Sequence, residues 1–109
     1  MTTLFWLLVG HFVADYPLQT EPLAVGKNRS IAHSHLGVPW YAWLVAHAAV
    51  HAGAAALASG SVAIGCVEFV AHAAIDHGKC SRWYGFHTDQ ALHIACKLAY
   101  AIALVWMAS

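Results

Sequence analysis

Residues 62–78 read VAIGCVEFVAHAAIDHG. Here an apolar run of helical length is interrupted by Glu68, His72 and Asp76, one every fourth residue, and it closes on Gly78. Four residues is about one helical turn, so these polar side chains share one face. The spacing predicts a helix over Val62–His77, with Gly78 as its C-terminal cap. The same device recurs in the other apolar segments as His11/Asp15, His47/His51 and Asp89/His93, and the pairs use all three aspartates of the chain. Helices are expected over Leu4–Tyr16, stopped by Pro17 because the residue before a proline disfavours helix. Further helices are expected over Val38–Ala58, with Pro39 in the first turn, and over Thr88–Ala108, starting at Thr88 or Asp89. Ser59-Gly60-Ser61 is expected to be a short turn.

Working outward, the composition is 61% apolar and 9% charged, against about 25% charged in an ordinary soluble domain. Segments two and four are apolar nearly all round and approach the ~20 residues that span a bilayer. Segments one and three are short, so either the bilayer thins locally or segment one enters only part way. The expected fold is therefore all-α: one domain over residues 1–109, built as a four-segment transmembrane helical bundle. A soluble four-helix bundle is the alternative. Alanines at small-xxx-small spacing (Ala48, Ala52, Ala56; Ala99, Ala103) suit close helix contact in lipid, and a chain this small is expected to form homo-oligomers. Thr3–Ala14 lacks a basic leader and carries His11, so it is expected to be retained.

Loops 17–37 and 78–88 hold Lys27, Arg29, Lys79 and Arg82, four of the five basic residues. The positive-inside rule places both loops in the cytoplasm. Trp40, Tyr41, Trp43, Trp83 and Tyr84 near segment ends read as an interfacial belt. Zero net charge gives no footprint for nucleic acid. The three cysteines, Cys66, Cys80 and Cys96, lack paired spacing and are read as reduced space-fillers, with Cys80 set apart by its place in a polar loop.

The four pairs share a depth. At ~1.5 Å per residue each lies roughly 5–12 Å from the loop-side end of its segment. An aspartate in a membrane helix costs about 2.5–3.5 kcal/mol on insertion scales, so three of them need compensation. A divalent metal supplies it. The expected ligands are His11, Asp15, His47, His51, His72, Asp76, Asp89 and His93, an N/O set suited to zinc first, then iron or manganese. Eight donors suit one ion or two. A hydrogen-bonded His/Asp network and a haem with histidine axial ligands are the competing readings, and aspartates fit haem poorly. Glu68 is read as a further ligand, a general base or a histidine partner. Lys79 is read as a snorkelling lysine or an anion contact. His33, His35, His77 and His87 are expected to be solvated or interfacial.

The ordered set His11-Phe-Val-Ala-Asp15-Tyr-Pro-Leu-Gln19-Thr20, Lys27-Asn28, His47-x3-His51, His72-x2-Ile75-Asp76-x2-Lys79 and Asp89-Gln90-x2-His93 resembles the DUF3307 family. The resemblance covers nearly the whole chain. It implies a small bacterial or phage integral membrane protein, and it implies no particular activity. This chain departs from the pattern by a longer stretch before His47, which contains His33 and His35. Three functions follow from the residues. The first is a metal-dependent hydrolase acting on a lipid-like ester or phosphoester, with Glu68 or an unligated aspartate as base and Lys79 or Arg82 near the head group. The second is a metal or proton transporter or channel. The third is a structural or assembly component with a closed metal or hydrogen-bonded site.

Overall fold

Pro39 stands in an extended conformation (φ −67°, ψ 153°) just before the first turn of an alanine-rich helix that runs to Ser59. That helix ends where Gly60 takes up the left-handed conformation (φ 69°) and donates its N–H to Ala56 O at 2.8 Å, the behaviour expected of a C-terminal glycine. The next residue, Ser61, starts the following helix by accepting the Ile64 N–H on its Oγ at 3.3 Å. The computed structural model describes every residue except Met1, Pro17, Thr20, 29–30, 32–33 and Ser109, together with the side chains of 21–23. The element order is α1 (Thr2–Asp15), α2 (Glu21–Gly26), β1 (Ser34–His35), β2 (Val38–Pro39), α3 (Trp40–Ser59), α4 (Val62–Cys80) and α5 (Phe86–Ala108). The expected stop at Pro17 and the loop residues Arg29 and His33 lie outside the described residues.

The chain is all-α apart from one small hairpin. The largest interface joins α3 to α4, followed by α1 to α3, with α5 closing against α4 and α1. Close approach of α3 and α4 depends on Gly65, where a Cβ would stand 2.9 Å from both Ala52 O and Ala56 Cβ. Ala52 and Ala56 thus make the small-residue contact expected of them, whereas Ala99 and Ala103 face outward.

Several boundaries differ from expectation. Gly78 does not cap α4, which continues to Cys80 and is closed by the Ser81 N–H on His77 O at 2.8 Å. Gly78 instead leaves room for a ring: a Cβ there would lie 2.5 Å from the Tyr84 hydroxyl, which donates to Ile75 O. Cys80 is accordingly a buried helix residue and not part of a polar loop. Helix α5 starts at Phe86, which puts Asp89 in its first turn. Loop 17–37 contains α2 and the β1–β2 hairpin, whose two-residue turn has positive φ at Leu36 (53°) and Gly37 (75°), as tight hairpin turns require. Trp43 pins this loop, and so is no simple belt residue. Its Nε1 donates to His35 O at 3.1 Å, and its ring lies against Gly26.

Among the described residues two helices, α3 and α5, are long and apolar enough to cross a membrane, where the sequence suggested four. Helix α1 has only 14 residues. Helix α4 has 19 residues but carries Glu68, Asp76 and Lys79. The interior is more polar than apolar: among the described residues eleven polar or charged side chains are buried against eight hydrophobic ones. Large apolar side chains such as Leu57, Val62, Trp106 and Met107 are instead strongly exposed.

Candidate metal centre

The polar interior is built as a ladder, because each helix carries its polar residues one turn apart and neighbouring helices run antiparallel. Between α4 and α5 the rungs are Glu68 with Lys97, His72 with His93 (ring centroids 4.3 Å), and Asp76 with Asp89. Between α1 and α3 they are His11 with His51 (centroids 5.3 Å) and Asp15 with His47 (3.3 Å). One turn further from the loops, Leu7, Ala55, Ile64 and Tyr100 form an apolar plug that closes the chamber at that end.

His72 sits at the centre. Its ring stacks on His51 at 3.6 Å between centroids, and His47 stands edge-on at 5.0 Å. It is fully buried, and among the described residues neither of its ring nitrogens has a hydrogen-bond partner. Buried polar groups are nearly always paired, so an orphaned imidazole amid other donors calls for an explanation. Asp15 is the opposite case. Its Oδ1 lies 3.1 Å from His51 Nε2 and 3.3 Å from His47 Nε2, and its Oδ2 accepts from Gln90 Nε2 at 3.0 Å.

Donor atoms within 4.8 Å of one another form three groups: Asp15, His47, His51 and His72; His11, His72 and His93; and Asp76, Asp89 and His93. Together these are the eight residues singled out from the sequence. Imidazole and carboxylate donors that converge in this way match the ligand chemistry of zinc, iron and manganese.

The two further site residues read from the sequence are placed differently. Glu68 faces the chamber but is ion-paired with Lys97, both fully buried. Lys79 lies outside the cluster, with its ammonium 5.6 Å from the centre of the Phe86 ring. The amines at the chamber are Lys97 and Lys27, neither of them singled out as a site residue. Lys97 extends the Asp89/His93 spacing by one more turn, which was the available signal. Lys27 was read as a cytoplasmic loop charge. It is in fact buried, with Nζ 2.5 Å from both Asp76 Oδ2 and Gln19 Oε1. Gln90, also unassigned, bridges the two helix pairs: Nε2 donates to Asp15 and Asp89, and Oε1 lies 3.1 Å from His11 Nε2. Outside the chamber, His77 stacks on Trp40 with centroids 5.1 Å apart. His87 is exposed.

No curated protein and no solved structure matches the chain. A family model described as "Protein of unknown function (DUF3307)" matches residues 3–109. With that match over essentially its full length, the chain belongs to the DUF3307 family.

Proposed function

We propose that this protein is a membrane-embedded divalent-metal centre that hydrolyses a lipid-like ester or phosphoester. The observation that carries the metal reading is His72, buried without a hydrogen-bond partner at the junction of two donor groups. The outward apolar surface supports the membrane reading. Only 28% of the apolar window of α3 and 17% of that of α5 is buried within the chain, whereas the core helix of a soluble protein is mostly covered. In lipid, a polar interior and an apolar exterior are the favourable arrangement, provided the buried polar groups satisfy one another.

A divalent ion held by the converging imidazoles and carboxylates of this chamber would supply Lewis acidity and a bound water of lowered pKa. The chain's own residues do the rest. Gln90 holds Asp15 and His11 in place, and Asp15 with its neighbouring histidines would hold the ion. Asp89, 3.4 Å from His93 Nε2, forms with it a His–Asp couple that accepts a proton. This role passes to the couple because Glu68 is engaged by Lys97. Among the described residues the far end of the chamber is packed by Leu7, Ala55, Ile64 and Tyr100, a mostly apolar layer that favours hydrolysis over transport.

The test is elemental analysis of detergent-purified protein, with His47→Ala/His72→Ala as control. The reading requires zinc, iron or manganese in stoichiometric amount in the wild type, its loss in the double variant, and metal-dependent cleavage of a fluorogenic phospholipid in mixed micelles. A wild type that takes up no metal on reconstitution at neutral pH would overturn it and leave a hydrogen-bonded His/Asp network.

A further inference from the structure

The three donor groups cannot all be filled at once, because His72 belongs to two of them and His93 to two. Two groups share no residue: the quartet Asp15, His47, His51 and His72, and the trio Asp76, Asp89 and His93. We infer that the chamber holds one divalent ion, in the quartet, and that the Lys27 ammonium is a resident cation that keeps the trio from taking a second. This assignment rests on the metal-centre reading and goes beyond it by fixing the number of ions, the place and a residue that controls both.

Two independent observations carry the assignment. The first is contact. Lys27 reaches in from the loop after α2, its side chain 6% exposed, and sets Nζ 2.5 Å from Asp76 Oδ2. An ammonium on that carboxylate repels a metal ion and occupies an oxygen the trio needs. Asp15, the carboxylate of the quartet, carries no lysine; it faces the Nε2 atoms of His47 and His51 and the Gln90 amide. The second observation is charge. Among the described residues, four carboxylates (Asp15, Glu68, Asp76, Asp89) and two ammonium groups (Lys27, Lys97) are buried. With neutral imidazoles the excess is two negative charges. One divalent ion balances it, whereas two would leave two positive charges in a medium that solvates charge poorly. The quartet is also the richer ligand set, with three imidazoles and a carboxylate against one imidazole and two carboxylates in the trio, and zinc there would take the water that hydrolysis needs as a fifth ligand.

The experiment counts ions by mass spectrometry in detergent-purified protein reconstituted with zinc. Folding of each variant is checked by helical circular dichroism. Wild type is expected to hold one ion per chain, Lys27→Met two, Asp76→Asn one, and Asp15→Asn none. Two ions in wild type, loss of the ion in Asp76→Asn, or a folded Lys27→Met still holding one would each overturn the assignment while leaving a metal centre standing. Should Lys27→Met not fold, Lys27→Gln, which also removes the charge, replaces it with the same two expected ions, and Asp76→Asn, which disables the trio, tests the place of the ion. No ion in wild type would overturn the metal-centre reading itself, and the assignment with it.

Discussion

Replacing Lys97 with Met removes one charge of a buried pair while keeping most of the side chain's volume and its unbranched stem. Lys97 and Glu68 are 2% and 0% exposed. On one side of the pair lies the apolar plug containing Ile64 and Tyr100, and on the other the imidazoles of His72 and His93. In Lys97→Met the fully buried Glu68 carboxylate loses its only ion-pair partner among the described residues. Stranding a buried charge in this way costs about 3–5 kcal/mol. Removing both charges behaves differently. In Glu68→Leu/Lys97→Met two apolar side chains fill similar space beside the plug, and such a swap falls between neutral and about 4 kcal/mol more stable. The two positions should therefore couple by at least ~3 kcal/mol, well above the few tenths found for independent sites. The assay is equilibrium unfolding in detergent micelles, followed by circular dichroism, for wild type, both single variants and the double. A cost below ~1 kcal/mol for Lys97→Met, or a double variant that costs the sum of the singles, would refute the reasoning and mean that the pair is hydrated.

Gly65→Val should destabilise the α3–α4 contact by about 1–3 kcal/mol, because its Cβ would press on Ala52 O, which is backbone and cannot rotate away; the same unfolding assay reads this. Gly78→Ala gains helix propensity of ~1 kcal/mol but drives the Tyr84 ring off its seat. Loss of the Tyr84 hydrogen bond to Ile75 should appear as a changed emission of the neighbouring Trp83, and an unchanged spectrum would count against the packing described. Burial, then Asp89 and Asp76, raise the Tyr84 phenol above its ordinary value of 10.0. A raised value in the folded state gives stability that is full below pH 10 and is lost as pH rises through the folded-state value. Stability should thus fall above pH 10, and Tyr84→Phe should flatten that fall.

The four long helices and the convergence of the eight His and Asp side chains were legible because both follow from spacing. An apolar run with His or Asp every fourth residue has only one regular way to gather its polar atoms, and antiparallel neighbours bring like depths together. What was not legible depended on side-chain destinations. Lys27 sits in a polar stretch that looks like a solvated loop, and nothing local says that α2 and the Trp43 anchor fold this stretch back onto Asp76. Gly78 carries the usual signal of a helix cap, yet its missing Cβ serves a ring that arrives six residues later. Glu68 looked free because its partner, Lys97, lies on another helix 29 residues away. In each case a long-range contact overrode a correct local signal.

The Gly60-Ser61 connection has a consequence for how the chain assembles. The most extensive interface among the described residues, α3 on α4, is also the one closed by the shortest link between helices. Short links lose little entropy on closure, and local contacts form fast. The two helices are thus expected to pair early as a hairpin, so that His47 and His51 meet His72 before α5 brings Asp89, His93 and Lys97. Amide exchange would then be slowest around Ala52 and Gly65 and faster along α5. The last helix to dock is the one that completes the charge pairing of the interior, so a chain whose α5 is still undocked is marked by an uncompensated Glu68.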